Sequence, residues 1–296
     1  MSEYPTWIAA DGTEFGYRIW KPEGETKAWV VAMHGLSCRA EDFEPLVDTM
    51  NRAGIAIAAW NLRGQGLDPQ KSRRGAWLEV DGMLEDLEGF ANFIGADRVF
   101  LAGESMGALL ALQAAARQPW RDRAMGLLLF APVVALAQRN PPWVKTVLRV
   151  ISRLAPGASL KPSWFVHGKG SFPKLTRIPE RQHELETAPY RLGPLTLGFL
   201  ARMGDLIDAS DAAAQRLDVP VALFSAGHDV FISAGQTRAF FEKIRTSEKS
   251  HFEFPESYHQ LLFDLDAPTI ADEATKWITA RLRADTSRQS VPNISR

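Results

Sequence analysis

VFLAGESMGALLALQAAA, residues 99–116, is the stretch that decides the fold. Arg98–Ala102 reads as a short apolar strand buried on both faces. Ser105–Arg117 has the Ala- and Leu-rich composition of a helix. Between them GESMG, from Gly103 to Gly107, fits G-x-S-x-G. A serine on a sharp strand-to-helix turn projects its hydroxyl above the sheet, and the flanking glycines permit the tight turn and the close approach of the helix.

The same rhythm extends outward on both sides. Ala28–Met33, Ile55–Trp60, Gly126–Phe130 and Pro220–Ser225 are further apolar runs of strand length, and His251–Phe254 is strand-like. Ala40–Ala53, with Phe43, Leu46, Val47 and Met50 on one face, reads as a helix stopped by Gly54. Val80–Ile94, Thr237–Ile244 and Ile270–Arg283 are helix-like as well. Thr6–Ala10 and Glu14–Trp20 alternate about Asp11-Gly12, a hairpin signal. Short buried strands alternating with amphipathic helices predict an α/β fold, a mostly parallel sheet with helices on both faces.

A serine hydroxyl needs a base to take its proton, and the base needs an acid to hold its tautomer. The fold that uses this elbow supplies them in the chain order Ser, acid, His. Of the six histidines, His34 precedes the serine, His167 and His183 lie in irregular sequence, His228 abuts the candidate acid and His251 sits in a strand pattern. That leaves His259, in PESYHQLLF between the last strand and the last helix. Asp229, in SAGHDVF, follows the Pro220–Ser225 strand at the sheet edge where open α/β folds gather their sites. Asp205, Asp208, Asp211 and Asp218 precede that strand and read as helix caps and a solvated face. The expected catalytic set is Ser105, Asp229 and His259. The expected oxyanion donors are the backbone N–H groups of Met106, at the start of the helix, and Leu36, in the HGLS loop, which His34 is expected to order.

With these residues placed, the chain resembles the monoacylglycerol lipase and lysophospholipase branch of the α/β-hydrolases, related to the serine aminopeptidase-like hydrolases. The resemblance is carried by MHGLSCRAEDF, NLRGQGLD at Asn61–Asp68, GESMG, GHD and YHQLLFD, and runs from about Gly12 to Leu282. The loop NLRGQGLD departs from the family's aspartate-Arg-Gly-x-Gly-x-Ser in having Asn61 and Asp68 at its ends, and Glu104 stands where many relatives carry histidine. The resemblance implies hydrolysis of a carboxylic ester through a covalent acyl-enzyme, with no cofactor. Peptidase, thioesterase and acyltransferase chemistry share the same residues. A non-catalytic ligand-binding member of the fold is the alternative of another class.

After Pro132 the alternation breaks, so residues 133–214 are expected to form a cap inserted after the sixth strand. Residues 1–132 and 215–285 then form the core, and 286–296 a polar tail without fixed structure. Two apolar faces mark the insertion, one over Trp143–Leu154, the other over Leu195, Leu197, Phe199, Leu200 and Met203. Both are expected to pack on the core, the sharper reading being that Trp143, Leu195 and Leu200 contact an acyl chain or that a face meets lipid. Aromatic residues also cluster around Trp164, Phe165 and Phe172.

The 296 residues are 46% hydrophobic with a net charge of −1, enough for a large core and without the basic footprint of a nucleic-acid binder. The lone Cys38 excludes an intramolecular disulfide framework and fits a reducing compartment. MSEYPTWIAADGTEF has neither the basic nor the apolar region of a secretory signal, and no apolar run reaches the roughly 20 residues of a membrane span. No metal-ligand spacing is present. The expectation is a cytoplasmic protein acting on a small acyl ester, with peripheral membrane contact left open.

Overall fold

The computed structural model describes residues 5–137, 142–160 and 172–289. The strands are β1 (Thr6–Ile8), β2 (Glu14–Trp20), β3 (Ala28–Met33), β4 (Ile55–Trp60), β5 (Val99–Glu104), β6 (Ala124–Phe130), β7 (Ser159–Leu160), β8 (Leu195–Thr196), β9 (Val221–His228) and β10 (Lys249–Tyr258). Eight of them form one sheet in the order β1-β2-β4-β3-β5-β6-β9-β10. Strand β2 runs antiparallel to both its neighbours, and every pairing from β4 to β10 is parallel. This is the α/β-hydrolase architecture expected from the sequence.

Alternation along each strand divides the apolar residues into two layers. In β5, Val99 and Leu101 join the layer covered by the helices Val80–Phe93 and Met106–Ala115. Phe100 and Ala102 join the opposite layer, under Phe43, Met50, Ile270 and Trp277. There Phe130, Phe224 and Phe252 stack in turn at 4.8 Å between ring centroids across β6, β9 and β10. Each such side chain taken from water stabilises the fold by about 2–3 kcal/mol, so the central strands are held from both sides and their C-terminal ends form a rigid platform.

Two helices differ most from their sequence reading. Residues 40–53 are not one helix: Ala40–Leu46 is a 3₁₀ helix and only Val47–Arg52 is α. Pro45 lies inside the first part and has no N–H to donate to an α-helical ladder. The last helix starts earlier and runs further than predicted, from Ala267 to Gln289. Nothing in RLRADTSRQ stops it, since the chain has no glycine or proline between Arg281 and Gln289. It therefore enters the segment expected to lack structure, the remainder of which lies outside the described residues.

Between β6 and β9 the chain leaves the sheet. The helices Pro179–Thr187, Leu197–Asp208 and Ser210–Ala214 and the small antiparallel pair β7–β8 lie in this stretch. Leu195, Leu197 and Phe199 are buried, as their pattern predicted. The Pro142–Leu154 helix is different. Arg149 ties it to Asp205 at 2.5 Å and Asp208 at 3.3 Å on the Leu197–Asp208 helix. Yet Val147, Val150 and Ile151 are each more than 40% exposed and Leu154 is 81% exposed. At these positions the apolar face looks outward and does not pack on the core as expected. Trp164, Phe165 and His167 fall outside the described residues; Phe172 packs under the Arg191 guanidinium, 4.9 Å from its ring centroid.

Candidate active site

Ser105 sits between β5 and the Met106–Ala115 helix with φ +54°, a left-handed conformation that costs a non-glycine residue on the order of 1–3 kcal/mol. The surroundings explain why it persists. Its N–H donates to the Phe130 carbonyl at 2.9 Å, tying the turn to β6. A side chain at Gly103 would meet the Gly107 carbonyl oxygen at 2.2 Å, and one at Gly107 would meet the Met33 carbonyl oxygen at 1.9 Å. Both glycines are therefore fixed by close approach of backbone, and the helix starts pressed against the end of β3.

His259 and Asp229 meet the serine from the far end of the sheet. His259 lies directly after β10 and Asp229 directly after β9, in adjacent parallel strands. The Ser105 hydroxyl lies 2.9 Å from His259 Nε2, and His259 Nδ1 lies 2.7 Å from Asp229 Oδ2. Asp229 uses its other oxygen to accept the Phe231 N–H at 2.8 Å and the Ile232 N–H at 3.4 Å, which fixes the carboxylate plane. Phe231 also packs edge-on against the imidazole at 4.6 Å. The His259 and Asp229 side chains are only 4% and 2% exposed. Burial of the imidazole opposes its protonation, but the charge and hydrogen bond of Asp229, with a contribution from Glu104, outweigh it and raise His259 above its ordinary 6.5. Such a ring takes a proton readily and is held in the orientation to do so.

Among the described residues, no hydrogen bond within the chain takes up the Leu36 or the Met106 N–H. The loop carrying Leu36 is closely braced. His34 is wholly buried; its Nδ1 lies 2.9 Å from the Gly35 carbonyl and its Nε2 accepts the Leu62 N–H at 2.9 Å. Burial pushes its value down to about 4, so the ring stays neutral. Ser37, with φ +62°, donates its N–H to Gln65 Oε1 at 3.1 Å, and Gln65 Nε2 points at Met106 Sδ at 3.9 Å. Gln65 thus touches Met106, next to the serine, and Ser37, next to Leu36. The sequence reading gave it no role, although it lies in the quoted loop NLRGQGLD. The two departures at the ends of that loop are structural. Asn61 accepts the Ala40 N–H at 3.0 Å, and Asp68 accepts the N–H groups of Gly64 and Gln70 at 2.6 and 2.8 Å.

Leu195 is buried in the layer that also holds Met106, and Leu200 packs against that layer with Leu36. Trp143 belongs to the Pro142–Leu154 helix, but its side chain is outside the described residues. Glu104, noted in the sequence but given no role there, is wholly buried with neither carboxylate oxygen hydrogen-bonded among the described residues. Burial, helped by the charge of Asp42 and opposed by His259 and Arg181, pushes it up to about 7. A second serine–histidine–carboxylate set lies elsewhere, Ser225 at 2.8 Å from His251 and His251 at 3.5 Å from Glu253. It spans regular positions of β9 and β10, without a strained turn or a helix start beside the serine, and so lacks what makes Ser105 accessible.

Known proteins resemble the chain along most of its length. The family described as Serine aminopeptidase, S33 matches residues 24–266. A monoacylglycerol lipase from Mycolicibacterium smegmatis is 24% identical over 281 residues, covering 92% of this chain and 95% of that protein. The human monoglyceride lipase is 22% identical over 297 residues, covering 94% and 91%. Among solved structures, a Paleococcus ferrophilus monoacylglycerol lipase superposes with a TM-score of 0.77 at 24% identity over 90% of this chain and 99% of that one. A soluble variant of the Saccharomyces cerevisiae monoglyceride lipase, in complex with a substrate analogue, gives 0.77 at 16% identity over 95% and 99%. No helix of the described residues is long and apolar enough to cross a membrane. The chain belongs to the serine aminopeptidase, S33 family and has the α/β-hydrolase fold.

Proposed function

We propose that this protein hydrolyses carboxylic esters by a serine-dependent, acyl-enzyme mechanism, with monoacylglycerols, lysophospholipids or similar acyl esters as substrates. The observation that carries the reading is the continuous line from the Ser105 hydroxyl through His259 to Asp229, at 2.9 and 2.7 Å. Ser105 Oγ attacks the ester carbonyl while His259 Nε2 takes its proton. The negative charge that develops on the carbonyl oxygen is met by the Leu36 and Met106 N–H groups. Asp229 holds the imidazolium, which then protonates the departing alcohol. Water, deprotonated by His259, attacks the acyl-serine and releases the acid. The lipase names of the relatives support an acyl ester, and the residues needed require no cofactor.

Residues 133–214 act in this reading as a cap, in which Leu195 and Leu200, with Trp143, contribute apolar contact to the acyl chain. The outward apolar face of the Pro142–Leu154 helix, beside exposed Arg153, favours peripheral contact with a lipid surface carrying anionic headgroups. The lone buried cysteine suits a reducing, cytoplasmic setting.

The test is hydrolysis of p-nitrophenyl butyrate and laurate by the wild type and by Ser105→Ala. Turnover by the wild type and none by the variant supports the reading, and the ratio of the two esters reports the chain length accepted. Cleavage of p-nitroanilides in place of esters moves the assignment to amide hydrolysis. Failure of a fluorophosphonate to label Ser105 would move it to a non-catalytic binding protein.

A further inference from the structure

Beside the nucleophile lies a dry cluster of charge that the ester chemistry leaves unused. Asp42, in the Ala40–Leu46 turn, and Arg181, in the Pro179–Thr187 helix, pair at 3.0 Å with side chains 1% and 4% exposed. Both act electrostatically on buried Glu104. Placing an arginine at this depth costs several kcal/mol of hydration, which its partners must offset, so what it holds is informative. Its Nη1 donates to Glu184 at 2.8 Å within its own helix. Its Nη2 also donates to Gln260 Oε1 at 2.9 Å, and the guanidinium lies 4.0 Å from the centroid of the Phe263 ring. Gln260 is the residue after His259, and Phe263 closes the same loop.

Neighbours of Arg181 grip that loop as well. The Gln260 N–H donates to the Leu175 carbonyl at 2.9 Å, and the Thr176 hydroxyl donates to the Phe263 carbonyl at 2.6 Å. Arg177 reaches Asp264 and Asp266, each at 2.9 Å. Further along, the Leu192 N–H donates to Ser37 Oγ at 3.2 Å, in the Leu36 loop. The stretch from 175 to 192 is therefore bonded to both loops that converge on Ser105, unlike the outward-facing Pro142–Leu154 helix.

We propose that Arg181 is a positioning residue for His259: held by Asp42 and Phe263, it fixes Gln260 and through it the imidazole. The proposal rests on the ester-hydrolase reading for its substrate assay, but not for its second readout. A displacement of the base by about 1 Å is enough to cost on the order of a hundredfold in rate.

The experiment compares wild type with Arg181→Met, Gln260→Met and the double variant. It measures kcat and KM for p-nitrophenyl butyrate, the rate at which a fluorophosphonate captures Ser105, and Tm. Gln260→Met leaves the Arg181–Asp42 pair intact, so it decides the matter if Arg181→Met fails to fold. The expected result is a tenfold to hundredfold fall in kcat for each single variant with KM within twofold, and capture slowed by the same factor. The double variant is expected to be no slower than Arg181→Met, as for residues acting through one route. Wild-type kcat and capture rate in Gln260→Met overturn the proposal, and so do effects that multiply in the double variant. A wild type that is captured but hydrolyses no ester counts against the ester reading alone, and the capture rates still decide the role of Arg181.

Discussion

Replacing Glu104 by glutamine should make the protein more stable at alkaline pH and leave it nearly unchanged at acid pH. The carboxyl is fully buried and unpartnered, and its value rises from 4.5 to about 7. The native state therefore holds the proton more tightly than the unfolded chain. Below about pH 4.5 both states are protonated and the group costs nothing. As pH rises from there to about 7 the unfolded chain ionises while the native state resists, so stability is lost across that window. At about 1.4 kcal/mol for each tenfold change in proton affinity, the full cost is about 3 kcal/mol by pH 8, against about 1 kcal/mol at pH 5. Glutamine has nearly the same shape and never ionises. Any cost of burying its amide is the same at every pH, so the quantity to follow is the difference between variant and wild type. Urea unfolding at pH 5 and pH 8 should show that difference moving by about 2 kcal/mol in favour of Glu104→Gln. A difference that stays constant from pH 5 to pH 8 would refute the reasoning, because it would mean that Glu104 ionises no less readily in the native state than in the unfolded chain.

Other consequences are as direct. His259 must be neutral to accept a proton and its value is raised above 6.5, so kcat/KM should fall as pH drops through a point above 6.5. Asp229→Asn should move that limb to lower pH and reduce kcat by about 10⁴, as the corresponding loss does in serine proteases; a pH–rate profile of both proteins reads each effect. Gly107→Ala should abolish soluble expression or activity, since its methyl carbon would stand 1.9 Å from the Met33 carbonyl oxygen. Arg63 is buried between Asp86 at 2.7 Å and Asp11 at 2.6 Å, so Arg63→Met should cost about 3–5 kcal/mol in denaturant unfolding. Adding Asp86→Asn should restore part of that loss, because it removes the uncompensated carboxylate.

The sequence displayed the sheet and the three residues at its edge for one physical reason: each depends on local pattern. A strand buried on both faces is an apolar run, the elbow is two glycines about a serine, and Asp229 and His259 each follow a strand directly. What stayed hidden depends on contacts between distant residues. NLRGQGLD could be quoted as a loop, but nothing in it reveals that Gln65 bonds Ser37, because that pairing exists only once β3 and β4 lie side by side. Arg181 reads as one charge among PERQHELET, a solvated helix by composition, and its burial arises from where the insertion lands. The face of Trp143–Leu154 was legible as apolar. Its direction was not, since periodicity locates a face and says nothing of which way it turns.

The order of the strands also sets a timetable for synthesis. Strands β3, β4, β5 and β6 can pair as soon as they emerge, but the outer edge of β6 must wait for β9, on the far side of the whole insertion. His259 comes 154 residues after Ser105. At about 5–20 residues per second that gap is roughly 8–30 s on a ribosome. Until His259 emerges the nascent chain carries an unreacting serine, and until β9 emerges it also carries a bare apolar strand edge, open to pairing with another chain. The strand that delivers Asp229 is also the one that covers β6, so the protein gains its acid and closes that edge in the same docking event.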